Sequence, residues 1–215
     1  MNCCSSNDPT GEFFDKESKK FEKKYRKKGL EKITKSLVDG IEELGIKGMT
    51  VLEVGAGIGG AHRELLRRGA SKAFATELSK EMINRASNFT DSEGFKDKVE
   101  YHLGDIVEMN GEIPEVDITM HDKVICCYEN VDALIDKTLS KTKSIYAFVM
   151  PRDRFLTEFG FNVFILVSKL LRWDFRPFIH PLQPILDKLQ KAGYKLQSEA
   201  RTIIWHARVF RKEPA

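Results

Sequence analysis

The stretch VLEVGAGIGG, residues 51–60, ends an apolar run in four glycines. That is the pattern of a strand turning into a helix around a bound nucleotide. Gly55, Gly57 and Gly60 fit the dinucleotide spacing G-x-G-x-x-G, and Gly55, Gly57 and Gly59 fit the shorter G-x-G-x-G. Two acids accompany the glycines. Glu77 closes the next apolar run, about 20 residues on, where a carboxylate accepts hydrogen bonds from ribose hydroxyls. Glu53 lies two residues before Gly55 and would set a negative charge beside the glycine loop.

Glu77 suits any adenosine ligand and does not separate them. Glu53 does. A pyrophosphate beside it would meet a like charge in a partly dry site, whereas an ammonium or sulfonium would be attracted. S-adenosylmethionine carries both cations and no phosphate, so Glu53 favours this methyl donor over NAD. Asp105, following Gly104 at the end of a later strand, is placed to accept from an adenine amino group.

These residues need elements to hold them. Residues 1–12 are expected to be disordered. FFDKESKKFEKKYRKK (13–28) predicts a Lys-rich helix with Phe21 and Tyr25 on one face, either docked through those rings or acting as a lid. Leu30, Ile33, Leu37, Ile41 and Leu44 recur at helical spacing. Strands are then expected at 50–54, 72–77, 98–105, 116–125 and 144–150, alternating with helices at 59–69, 79–89 (N-capped by Ser79) and 129–139. After a helix at 181–193, the runs YKLQSEA and RTIIWHARVFR follow with no helix between them, which predicts an antiparallel pair at the sheet edge. The expected fold is α/β, a doubly wound, seven-stranded, mostly parallel sheet with an antiparallel last strand. An N-terminal extension and helical lid (1–47) would precede one domain (48–215), with a lid insertion at about 151–181.

At 215 residues with 41% apolar residues and a net charge of +3, the chain is long enough for one packed domain and too weakly basic to imply nucleic-acid binding by charge alone. No run reaches the length of a membrane span, and MNCCSSNDPTGE lacks the features of a secretory signal, so a cytoplasmic location is expected. Cys3-Cys4 and Cys126-Cys127 are adjacent pairs without C-x-x-C spacing. Free thiols and no metal site are expected, with a metal or thiophilic ligand shared by the two pairs as the alternative.

Residues 50–150 resemble the class I S-adenosylmethionine-dependent methyltransferases: VLEVGAGIGG as first motif, FATE as second, LGDI as third and VDITMHDKVICCY as fourth. The terminal strands are similar to the sixth and seventh strands of that fold. The resemblance implies that Gly55, Ala56 and Gly57 line the methionine part of the donor and that Glu77 holds its ribose. It further implies that Leu78 and Ile106 sandwich the adenine, that Asp105 meets its amino group, that His121 stands at the rim of the fourth strand, and that Tyr25 closes over the donor. More loosely, the short chain with a basic N-terminal helix is similar to small-molecule methyltransferases of the magnesium-protoporphyrin and quinone-biosynthesis types.

The acceptor is less legible, because in-line methyl transfer needs alignment more than functional groups. The aromatic segment 151–181 suggests either a lid over an apolar pocket or ordinary helix packing on the sheet, and Arg152 and Arg154 at its entrance suggest either a clamp for a carboxylate or surface charges pairing Asp153 and Glu158. His121, Tyr128 and His180 are the candidate bases, while His62, His102 and His206 are expected to be structural or exposed. A nucleic-acid methyltransferase, an NAD-dependent oxidoreductase and a non-catalytic donor-binding module remain the alternatives; no N/D-P-P-Y/W motif supports the first.

Overall fold

The computed structural model describes residues 9–152 and 177–213. Seven strands form one sheet: β1 (Thr50–Val54), β2 (Lys72–Glu77), β3 (Val99–Leu103), β4 (Val116–Asp122), β5 (Thr142–Pro151), β6 (Tyr194–Arg201) and β7 (Trp205–Lys212). Their order is β3-β2-β1-β4-β5-β7-β6. Strands β1 to β5 pair in parallel, and β7 runs antiparallel between β5 and β6. The expected sheet, with its reversed last strand, is the observed one. Strand order reverses between β1 and β4, and ligands of open α/β sheets bind beyond the strand carboxyl ends at such a point.

Both faces of the sheet are covered, which explains why β5 reads as a continuous apolar run. Ile145, Ala147 and Val149 pack beneath helices α2 (Lys32–Glu42) and α3 (Gly60–Arg67). Tyr146, Phe148 and Met150 face helices α5 (Val131–Leu139) and α6 (Leu182–Lys191). The same two-residue period divides β4. Ile118, Met120 and Asp122 look toward α2, whereas Thr119 and His121 look toward β5 and α5.

Helix α1 spans Pro9–Lys28, so residues 9–12 are helical rather than disordered as expected. Tertiary contacts extend it. Asp15 Oδ1 accepts from Ser79 Oγ (2.5 Å) and from the amide of Glu81 (3.0 Å), at the start of helix α4 (Lys80–Ser92). Ser79 in turn caps α4, accepting from Met82 N at 3.0 Å as expected. One turn on, Arg85 donates to Ser18 Oγ and pairs with Glu22, and Tyr25 packs edge-on to Phe89 at 5.2 Å. The helix is docked through a polar seam as well as through its rings.

Gly11 lets α1 approach, because a Cβ there would stand 2.8 Å from the Leu78 carbonyl oxygen. Gly11→Ala is therefore expected to loosen α1 although alanine is the better helix former by about 1 kcal/mol. Limited proteolysis should show faster cleavage within residues 9–28 than in the parent. Equal rates would mean that Gly11 is not what seats the helix.

Candidate functional site

The site begins where β1 ends. Gly55, Gly57 and Gly59 all take positive φ (63°, 53° and 72°), the region in which glycine alone avoids strain. Space matters most at Gly55, where a Cβ would lie 2.5 Å from a Val124 methyl group; at Gly57 nothing lies within 4 Å. Ala56 N bonds the Thr76 carbonyl at 3.0 Å, tying the loop to the end of β2. Glu77 completes the tie: Oε2 accepts from Gly57 N (2.8 Å), and Oε1 accepts from the amides of Leu78 and Ser79 (2.9 Å each). Burial raises the Glu77 carboxyl above its ordinary range, against the lowering effect of those three amides.

Glu53 is buried beside the loop. Its Oε2 accepts from both the amide (3.1 Å) and Nδ1 (2.6 Å) of His62, in the first turn of α3. Beyond β3, Asp105 accepts from Val107 N at Oδ1 (2.8 Å) and from the Tyr128 hydroxyl at Oδ2 (2.5 Å).

These groups share a cavity of about 700 Å³ that runs across the carboxyl ends of the strands, within the size range of small-molecule sites. Of the expected cofactor residues, Tyr25, Glu53, Gly55, Ala56, Gly57, Glu77, Leu78, Asp105 and Ile106 all line it. Phe13, Phe14 and Phe21 of α1 line it as well, so the N-terminal helix forms part of the wall.

The expected bases fare differently. Tyr128 lines the cavity, with its hydroxyl committed to Asp105. His121 is a correction: it is fully buried and is not on the cavity wall. Strand parity sends it inward, where Nε2 meets the Tyr146 hydroxyl at 2.9 Å and Nδ1 has no partner. Burial pushes its pKa down to about 3, so the ring is neutral. His180 is also off the wall, its Nε2 bonded to the Tyr128 carbonyl at 2.7 Å.

The expected carboxylate clamp is not on the wall either. Arg152 Nη1 donates to the Thr202 carbonyl (3.0 Å) and its amide to Ile204 O (2.8 Å), joining β5 to the β6–β7 hairpin, and it does not line the cavity. Arg154 lies outside the described residues, as do most of the 151–181 insertion and Cys3-Cys4. His62 and His206 are buried rather than exposed, which fits the structural role expected of them.

A polar corner that no spacing announced closes the cavity at the β4 end. Lys123, the only described non-glycine residue with positive φ (64°), directs Nζ to Thr34 Oγ1 (2.9 Å), Asp122 Oδ1 (3.0 Å) and Glu31 Oε2 (3.3 Å). Asp122 Oδ2 accepts from Thr34 Oγ1 at 2.6 Å, and Lys123 Nζ stands 5.8 Å from the Trp205 ring centroid. Only the run His121-Asp122-Lys123 hinted at this corner in sequence; its partners come from α2 and β7.

Residues 51–144 match the family described as Methyltransferase domain. The match covers less than half of the chain. A stretch of 67 residues is 34% identical to the sterol 24-C-methyltransferase ERG6B of Gibberella zeae, covering 31% of this chain and 18% of that protein. The match thus spans less than a fifth of the curated relative's length. Among solved structures, magnesium protoporphyrin IX methyltransferase (ChlM) from Synechocystis, crystallised with bound S-adenosylhomocysteine (SAH), has a similar fold. Its TM-score is 0.71 at 15% identity, covering 94% of this chain and 98% of that one. Geranyl diphosphate C-methyltransferase from Streptomyces coelicolor A3(2) gives a TM-score of 0.64 at 10% identity, over 84% and 77% of the two chains. At these identities the likeness is one of fold. The matched segment holds the glycine loop, Glu77, Asp105 and the fourth strand, while helix α1 lies outside it.

Proposed function

We propose that the protein is an S-adenosylmethionine-dependent methyltransferase acting on a small, largely apolar acceptor by in-line transfer. The capping of α3 carries the choice of donor. A dinucleotide's pyrophosphate would use the free amides at this helix N-terminus, but the His62 amide and imidazole are both bonded to the buried Glu53. A phosphate there would meet a carboxylate in a dry setting, and an ammonium would not. In this reading Glu53 draws the donor's ammonium, Gly55–Gly57 line its methionine, Glu77 takes a ribose hydroxyl, Leu78 and Ile106 enclose the adenine, and Asp105 accepts from the adenine amino group. Tyr25 and the phenylalanines of α1 would exclude water.

That places the donor over β1 to β3 and leaves the cavity above β4 and β7 for the acceptor. Its lining there, Leu30, Ile204, Trp205 and Pro177, suits an apolar body. The similar proteins named for sterol, protoporphyrin and geranyl diphosphate support the same acceptor class. A single polar or anionic group on the acceptor would meet Lys123 rather than Arg152. Where the acceptor must lose a proton, the wall offers the carboxylates Asp122 and Glu31. Otherwise rate comes from alignment and exclusion of water.

Calorimetric titration with S-adenosylmethionine, SAH and NAD in parallel tests the donor. Binding of the first two in the micromolar range and none of the third is expected. Selective binding of NAD would overturn the assignment and make Glu53 a purely structural cap.

A further inference from the structure

Cys126 and Cys127 have no part in the scheme above, yet both line the cavity. They lie on a 3₁₀ turn, Ile125–Cys127, directly after Lys123 and Val124. Neighbouring side chains on such a turn diverge by about 120°. Here the two sulfurs instead converge to 3.9 Å, each donating to the Lys123 carbonyl at 3.4 Å. The left-handed backbone of Lys123 presents that one oxygen to both thiols.

The spacing selects a chemistry. A disulfide needs sulfurs about 2.05 Å apart, far closer than these. Two sulfurs each bonded at about 2.3 Å to one pyramidal centre, at an angle a little over 90°, stand roughly 3.3–3.5 Å apart, a few tenths of an ångström closer than these. The pair therefore needs far less movement to take one bridging atom than to form a bond between its sulfurs. The hydrogen bond with Cys126, together with burial, holds the Cys127 thiol protonated well above its ordinary range. A bare metal ion must displace such protons into solvent, whereas an oxo-ligand of a soft centre can carry them away as water.

We propose that Cys126 and Cys127 form a dithiol site for a trivalent arsenical, and that filling it closes the cavity to the nucleoside donor. In the reaction with an arsine oxide, two As–S bonds form and the As–O double bond breaks. Both thiol protons leave with that oxygen as water, arsenic stays trivalent, and nothing is oxidised. The blocking effect, though not the dithiol chemistry, rests on the donor assignment above.

Phenylarsine oxide is the probe, applied to the full chain carrying Cys3→Ser and Cys4→Ser so that the other adjacent pair cannot respond. One arsine adduct per chain is expected by intact mass, reversible by 2,3-dimercaptopropanol and not by a monothiol. The adduct should lower SAH affinity more than about tenfold. Cys127→Ser, and separately Cys126→Ser, should each abolish the dithiol-specific adduct. Should the buried Cys126 variant fold poorly, the half-buried Cys127 variant still decides. An adduct that survives either substitution, or resists the dithiol, overturns the site. An adduct that leaves SAH affinity unchanged overturns the blocking role. If the unlabelled protein binds no SAH while the adduct forms normally, the donor assignment and the blocking role fall and the dithiol site stands.

Discussion

Glu77→Ala is expected to weaken S-adenosylmethionine binding by about 100-fold or more, the largest effect of any single change at the donor site. A carboxylate offers roughly four acceptor positions. Three are taken by the amides of Gly57, Leu78 and Ser79, leaving one on Oε2 for a ribose hydroxyl. A hydrogen bond to a charged group contributes about 1.5–3 kcal/mol, and each buried amide left unpaired costs about 1–3 kcal/mol. The substitution thus removes a ligand contact and also frees the loop at Gly57. Glu77→Gln keeps one acceptor oxygen and should fall between parent and alanine. Calorimetry on both variants, with thermal melts to separate binding from stability, checks the ranking. Parental affinity in Glu77→Ala would remove Glu77 from the site.

Acidification acts on the same group. Burial raises the Glu77 carboxyl, so protonation, and with it loss of the acceptor, begins at a higher pH than for an exposed glutamate. Donor affinity should therefore decline on going down in pH before the ordinary carboxylate range is reached.

The second large effect is on stability. His121 titrates near 3 in the folded protein because it is wholly buried, and near 6.5 in the unfolded chain. Between those values the unfolded state binds the extra proton, so stability is complete above about 6.5 and is lost as pH falls toward 3. At about 1.4 kcal/mol per unit, the loss from this one ring is roughly 3 kcal/mol by pH 4.5. His121→Leu removes the titration while keeping the site apolar, and the Tyr146 hydroxyl keeps Thr138 as a partner at 2.6 Å. Urea unfolding at pH 7.5 and 4.5 should show parent losing about 3 kcal/mol more than the variant. Equal losses would mean that His121 reaches solvent when charged.

The difference between these two residues shows what could be read in advance. Glu77 and the glycines were legible because the chemistry fixes both residue type and interval: a loop that needs positive φ, then an acid one βα unit later. Asp105 and Leu78 were legible for the same reason, each abutting a strand end that periodicity locates. His121 was misplaced by a single residue of parity. A strand rim looks alike in sequence whichever face a side chain takes, and only packing against Tyr146 and α5 shows that 121 points inward and 122 outward.

The polar corner was hidden for another reason. Glu31, Thr34, Lys123 and Trp205 are up to 174 positions apart, and their meeting depends on α2 packing at the end of β4 and on β7 starting beside the end of β5. The start of α1 was likewise decided by Asp15 reaching the first turn of α4, a contact that local propensity does not contain.

By itself the sequence determined the alternating strands and helices, the reversed terminal pair and the glycine–acid set at the carboxyl end of the sheet, because periodicity and backbone conformation are local properties. The tertiary structure alone decided which polar groups line the cavity and which are spent on the fold. Arg152 is bonded to the hairpin and His121 to the core, whereas Glu53, Lys123 and the two thiols reach the wall. Whether a side chain is available for chemistry depends on partners that arrive from distant parts of the chain.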